Sequence, residues 1–342
     1  MKKKYILFQI GLVCILCFLI ETTSFFILRS QHQNVGFLFN LNGLNDVNTV
    51  KGFGFNEIDP LCGWAMSNKS IESMGYETQQ NCEVLRSNGD FPKVPLKLFI
   101  TGGSTSDIAL HKENWPNQLR QLFMKNKINA IIYAGGVGGY SSGQELLKLL
   151  RDGLQLQPDI HISYSGANES ADGGYVSKYE YSFYETAYKE SFTTVILPST
   201  IFLIKKTLNL SYYDVSVKKV QPMNTFYFWK QNMSTMSSIA QKSGYHFVGI
   251  LQPVLGIGNY KQANEKEIDP GNYRKDYQSY FPIAKRFILN KDSSLYDFTN
   301  IFDTVKGNVF VDDCHVNEPY QPLIAAKVYN ALETMGYFTS KK

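Results

Sequence analysis

The sequence predicts an α/β protein, a three-layer α/β/α sandwich around a mainly parallel five-stranded sheet, preceded by an N-terminal transmembrane helix. Three observations carry that expectation. From Leu96 onward, short apolar runs alternate with stretches of helical periodicity, the succession that sets parallel strands between crossover helices. Turns bearing Ser104, Gly139 and Asn168 follow the first three of those runs, where an open parallel sheet binds its ligands. An apolar stretch of bilayer length, residues 5–28, follows three lysines.

Along the chain, Lys2, Lys3 and Lys4 come first, and Gln9, Glu21 and Thr22-Thr23-Ser24 interrupt the apolar stretch. Lysines before it and a long polar chain after it place the N-terminus in the cytoplasm and the remainder outside. A cleaved secretory signal is the competing reading. No small-x-small site follows the apolar core, and apolar residues resume at Phe25-Phe26-Ile27-Leu28, which favours an uncleaved signal-anchor over residues 1–30. Bulky residues before Cys14 and Cys17 disfavour lipidation. Either address exports the chain, to the periplasm or surface of a bacterial cell. Residues 31–95, rich in Asn, Gly and Ser with little periodicity, read as a stalk or small N-terminal extension closed by Pro92 and Pro95.

The main domain then covers 96–342. Strands are expected at 96–101, 128–133, 159–164 and 245–251, and within 295–302. Helices are expected over 114–127, with Leu119, Leu122 and Phe123 on one face, and over 142–154. Another ends near Lys242, and one with proline in its first turn covers 319–335. An insertion at about 170–222 carries Tyr175, Tyr179, Tyr181, Phe183, Tyr184, Tyr188 and Phe192, then Val195-Ile196-Leu197. It reads as a cap or lid, with a membrane-resting patch as the alternative.

Hydrophobic residues at 44% and charged residues at 19% of 342 describe a globular chain without a long disordered part. A net charge of +4 without a basic stripe excludes nucleic acid as an expected partner. The aromatic share of 14% leaves room for a surface that stacks on flat or sugar-like ligands, although placement in core and cap is the preferred reading. Of the five cysteines, Cys62 and Cys82 flank a polar segment of the exported part, and a disulfide between them is the favoured reading, with two unpaired thiols as the alternative. No set of residues has metal-ligand spacing: the one CxxC, Cys14 to Cys17, lies in the apolar stretch.

Two short motifs carry the chemistry. Gly102-Gly103-Ser104-Thr105 places a serine on the turn after the first strand, and Asp312-Asp313-Cys314-His315 places a carboxylate three residues before a histidine. Serine is a weak nucleophile until a base removes its proton. His315 is the base candidate, because His32 lies near the anchor, His161 sits inside an apolar strand, and His111 and His246 have no acid at a suggestive spacing. Asp312 would orient the imidazole and stabilise its charged form, with Asp313 left to face solvent or cap the turn. Residues 134–140, with four glycines, and Gly166-Ala167-Asn168 offer donors for a developing oxyanion.

The order and context of these motifs resemble the SGNH hydrolase superfamily, the GDSL-like esterases and lipases, over residues 96–340. Gly102-Gly103-Ser104-Thr105 is similar to its first block, with Gly103 where many members carry Asp. Gly136-Val137-Gly138-Gly139-Tyr140-Ser141-Ser142 is similar to the second, and Gly166-Ala167-Asn168-Glu169 to the third, with Glu169 in place of Asp. Asp312-Asp313-Cys314-His315 matches the DxxH block. The resemblance implies the flavodoxin-like SGNH fold and a triad of Ser104, His315 and Asp312. It also implies an oxyanion hole made of the Ser104 and Gly139 N–H groups and the Asn168 amide, with no cofactor. Together with the expected anchor it points to an exported esterase acting on acyl esters, above all O-acetyl esters, of a cell-envelope glycan. An acyltransferase to a surface polysaccharide, a lipid esterase and a non-catalytic glycan-binding module are the alternatives.

Overall fold

The structure, a computed structural model, describes residues 2–30, 57–59, 61–87, 94–109, 112–171, 200, 204, 222–263, 273–291 and 294–338. The chain divides into two units, residues 1–52 with 181–218, and residues 53–180 with 219–342. In the first unit Lys2–Ser30 forms one helix, α1. Glu21 is fully buried on it and accepts hydrogen bonds from the N–H (2.9 Å) and hydroxyl (2.7 Å) of Thr200. Among the described residues no helix is long and apolar enough to cross a membrane, so the bilayer-crossing expectation for 5–28 draws no support from them. The aromatic residues of the insertion, Tyr175 to Phe192, and Val195-Ile196-Leu197 lie outside the described residues, as do His32 and His111.

The second unit begins with an antiparallel hairpin of β1 (Glu57–Asp59) and β2 (Gly63–Ala65). The short helix α2 (Asn68–Ser73), β3 (Thr78–Gln79) and β4 (Cys82–Arg86) follow. Next come β5 (Leu96–Gly102), α3 (Trp115–Lys125), β6 (Ala130–Ala134), α4 (Ser142–Arg151), β7 (Ile160–Ser165) and α5 (Ala167–Ala171). The last elements are α6 (Pro222–Ser243), β8 (His246–Leu251), α7 (Tyr273–Lys291), β9 (Leu295–Asp297) and α8 (Gln321–Thr334).

Five strands run parallel in the order β6-β5-β7-β8-β9, as the alternating pattern predicts. The sheet has seven strands rather than five, because β4 pairs antiparallel with β6 and β3 with β4. The boundary at residue 95 is corrected with it. Cys82, Glu83, Val84 and Leu85 are buried, so this part of the 31–95 segment belongs to the sheet and is no stalk. A two-residue β3 is too short to show a period, and an antiparallel edge strand lacks the helix that announces a crossover.

Side chains alternate across the sheet, one face to each helical layer. Leu98 and Ile100 join the core lined by Trp115, Leu119 and Phe123 of α3 and by Ile324, Val328 and Leu332 of α8. Phe99 joins the opposite core with Leu149, Trp229, Met233 and Phe281 of α4, α6 and α7. The sequence reading contains no α7, since Pro282 near its centre interrupts the helical pattern. His161 is fully buried, stacked on Phe99 with ring centroids 5.0 Å apart, and burial lowers its pKa to about 3.

The expected disulfide is not formed: Cys62 and Cys82 are free, buried thiols. They belong to different sheets. Cys62 lies in the β1–β2 turn, and Cys82 opens β4 with its thiol donating to the Gln80 carbonyl at 3.3 Å. Burial pushes both thiols up, to about 11 and about 12. Hydrogen bonds attach the hairpin instead. Gln144 donates to the Cys62 carbonyl at 2.8 Å, and the Trp64 indole donates to the Gly138 carbonyl at 2.8 Å. The Tyr140 hydroxyl donates to the Trp64 carbonyl at 2.5 Å, and Arg151 pairs with Asp59.

Candidate active site

At the end of β5 the chain turns through Gly103 into a single 3-10 turn, Ser104–Ser106, which lifts Ser104 beyond the C-terminal edge of the sheet. Across that edge lies the 312–315 loop, closed by the Phe310–Val316 bridge and by Val311 N–H donating to the His315 carbonyl at 2.9 Å. Asp312 organises the loop. Its Oδ1 accepts the N–H groups of Cys314 (2.9 Å) and His315 (2.7 Å), which leaves Oδ2 at 2.6 Å from His315 Nδ1. His315 Nε2 lies 2.7 Å from Ser104 Oγ. The structure thus brings together the three residues that the two motifs nominate, with the imidazole between the hydroxyl and the carboxylate.

The environment sets the charges to match. Burial alone would lower the pKa of His315, but the hydrogen bond and charge of Asp312 outweigh it and hold the imidazole above its ordinary 6.5. Burial would likewise raise Asp312, yet its bonds with His315 and the loop amides keep its carboxyl below the usual value. Asp313 is half-buried rather than turned out to solvent, and its carboxylate accepts the Tyr277 hydroxyl instead of capping the turn; burial raises its pKa. Asp312 has already taken the turn's amides, so Asp313 is left to pack inward.

The donor side starts at Gly139. Its φ of +80° is a backbone state that a side chain would strain. The N–H groups of Gly139 and Ser104 make no hydrogen bond among the described residues. Asn168, the second residue of α5, donates one amide hydrogen to the Tyr140 carbonyl at 2.8 Å and keeps the other. Its Nδ2 lies so close to Gly103 that a Cβ built there would sit 2.3 Å away. The amide therefore lies one residue from each of the other two expected donors. A side chain at 103 would collide with the Asn168 amide as it stands, and the glycine leaves that amide its place.

Glu169 is buried and not at the reacting centre. Its carboxylate accepts Ser142 N–H and, at 3.1 Å, Gly166 N–H, tying the Asn168 turn to the start of α4. Burial raises its pKa. Beneath the site, Glu145 accepts the hydroxyls of Thr101 (2.7 Å) and Ser163 (2.6 Å), and burial pushes its carboxyl up to about 8. The sequence reading misses Asp107, whose Oδ2 accepts Gly138 N–H at 2.9 Å. A carboxylate three residues after the motif serine was the available signal. It also misses Tyr277, for which no local signal exists. His246 opens β8, at the end of the strand opposite the site.

Asp312, Cys314 and His315 place their ligand atoms within 4.8 Å of one another. The set suits proton transfer better than a metal, since Nδ1 is engaged by Asp312 and burial holds the Cys314 thiol protonated. A serine hydroxyl on a neutral imidazole, an orienting carboxylate and free donors alongside can carry out nucleophilic attack on a carbonyl.

No protein-family model and no curated protein matches the sequence. The fold is similar to a solved acetyl xylan esterase, AlAXEase, at 14% identity and a TM-score of 0.42, covering 69% of this chain and 99% of that one. It is similar to Axe2, an acetylxylan esterase from Geobacillus stearothermophilus, at 12% identity and a TM-score of 0.44, covering 69% and 93%. A GDSL-like lipase from Bacteroides thetaiotaomicron VPI-5482 aligns at 15% identity and a TM-score of 0.39, covering 70% and 89%. The functional reading rests on this chain's own geometry.

Proposed function

We propose that the protein is a serine ester hydrolase of the SGNH type with Ser104 as nucleophile. The observation that carries the reading is His315 held between Asp312 Oδ2 at 2.6 Å and Ser104 Oγ at 2.7 Å. His315 Nε2 takes the Ser104 proton as Oγ attacks the ester carbonyl carbon. The negative charge on the carbonyl oxygen meets the N–H groups of Ser104 and Gly139 and the second Asn168 hydrogen. Collapse expels the alcohol, which leaves with the proton from His315, and an acyl-Ser104 remains. Water, activated by His315 in the same way, then releases the acid and restores the enzyme. Asp312 stays ionised and stabilises the imidazolium.

Substrate and address are proposals supported by the sequence alone. Lys2–Lys4 before the apolar stretch 5–28 supports export and membrane attachment, and the aromatic-rich insertion at about 170–222 suits a substrate in the cell envelope. An O-acetylated cell-envelope polysaccharide fits both. The test is turnover of p-nitrophenyl acetate and labelling by a fluorophosphonate, using the full chain with Ser104→Ala as control. Ser104-dependent turnover and labelling are expected, with kcat falling about 10⁴-fold or more in the variant. A full chain that neither turns over the ester nor takes the label overturns the reading.

A further inference from the structure

We infer that Trp64, on the β1–β2 hairpin and outside every motif, is a positioning residue of the oxyanion hole. Its indole would hold the Gly138–Gly139 peptide so that Gly139 N–H faces the reacting carbonyl. The inference deepens the proposed function and rests on it.

A trans peptide is planar, and its carbonyl and its N–H point in opposite directions. The Gly138 carbonyl and the Gly139 N–H belong to one such plane. Whatever holds that oxygen also aims that hydrogen. Trp64 Nε1 donates to the Gly138 oxygen at 2.8 Å, a bond buried between residues 74 apart in the chain. The restraint is needed because the peptide joins two glycines. Neither has a Cβ to disfavour a flipped plane, and Gly139 already sits at φ +80°.

The neighbouring contacts show what the indole adds. Asp107 fixes the preceding peptide by accepting Gly138 N–H at 2.9 Å. The following residue is held on the far side, where the Tyr140 carbonyl accepts from Asn168. Two peptides lie between these: Tyr140 N–H holds the Gly139–Tyr140 plane by donating to the Val137 carbonyl at 3.1 Å, and the hairpin reaches the remaining Gly138–Gly139 plane. Trp64 is itself locked in place: it is 3% exposed, its ring meets Tyr140 edge-on at 5.9 Å, and its carbonyl accepts the Tyr140 hydroxyl at 2.5 Å. The extension before the motif-bearing domain thereby completes the site.

The test compares the wild type with Trp64→Phe, which keeps an apolar ring and removes the donor, and with Tyr140→Phe, which loosens the indole from the other end. The substrate is p-nitrophenyl acetate, and thermal unfolding of each full chain is recorded alongside. For Trp64→Phe the expected result is a kcat about 10²-fold lower, with KM within about twofold and the acid limb of the pH profile unmoved. Affinity for a trifluoromethyl ketone, which forms a tetrahedral oxyanion on Ser104, should fall by the same factor as kcat, while affinity for the product carboxylate holds. Tyr140→Phe should show the same pattern, reduced to several-fold. A kcat equal to wild type in folded Trp64→Phe overturns the inference. So does a kcat loss that leaves the ketone affinity unchanged. Should Trp64→Phe fail to fold, a folded Tyr140→Phe with wild-type kcat and ketone affinity overturns it. A wild type without Ser104-dependent turnover overturns the esterase reading itself, which keeps the two failures distinguishable.

Discussion

The two sides of the active site are held by different means. On the acid–base side the restraint is local: Asp312 accepts the amides of Cys314 and His315, two and three residues away, and orients the imidazole with its remaining oxygen. On the oxyanion side the 137–140 turn closes on itself, with Tyr140 N–H donating to the Val137 carbonyl at 3.1 Å, but most of the restraints around it are distant. Trp64 reaches Gly138 across 74 residues, Asp107 across 31, Asn168 reaches Tyr140 across 28, and Glu169 reaches Ser142 across 27. A four-residue loop that hydrogen-bonds to itself needs little from the rest of the chain. A glycine-rich turn closed by a single bond still lets its central peptide swing, and takes that peptide's aim from what packs around it. The first side, although Leu255 N–H and the Tyr277 hydroxyl also reach Asp313, should fail chiefly when its own residues change, whereas the second should fail when a remote neighbour shifts.

The largest expected effect breaks the local side. Asp312→Asn should lower kcat/KM by about 10³–10⁴-fold. Wild-type activity rises with pH as His315 loses its proton, so its acid limb lies above 6.5, where Asp312 holds the imidazole. In the variant the burial that lowers His315 is opposed only by the charge of Asp313, and the limb should move to lower pH. Profiles of kcat/KM against pH check the sign, and a limb that moved upward would show that Asp312 is not what raises His315.

An intermediate effect tests the crowded side. Gly103→Ala puts a methyl 2.3 Å from Asn168 Nδ2 and 3.2 Å from the Tyr140 carbonyl. The amide must move, and kcat should fall about 10²-fold, as for loss of one oxyanion donor, while the acid limb stays in place. Steady-state kinetics on the same ester measure both, and an unchanged kcat would mean that Asn168 has room to spare.

The smallest effect concerns how the hairpin is fastened. Removing a native disulfide typically costs 2–5 kcal/mol. Because Cys62 and Cys82 are free thiols, dithiothreitol should leave both the unfolding midpoint and kcat unchanged. A midpoint lowered by reductant would replace the hydrogen-bonded attachment of the hairpin with a covalent one.

What could be read from the residues alone follows from range. The five parallel strands are legible because each is an apolar run followed, or preceded, by its own crossover helix. Ser104, Asp312 and His315 are legible because a serine on a strand-to-helix turn and a carboxylate three residues before a histidine are short-range patterns. Other features leave no such trace. The β3–β4 edge and the β1–β2 hairpin are too short to show a period, α7 carries Pro282 in its interior, and the free state of Cys62 and Cys82 depends on which sheet each joins. Trp64 reads as one aromatic among many until folding carries its indole to the Gly138 carbonyl. Periodicity and motif spacing report on neighbours in the chain, and they therefore specified the parallel sheet and nominated the triad. The aim of a peptide between two glycines is set by groups that only the folded chain brings near, so the shape of the oxyanion side belongs to the tertiary structure.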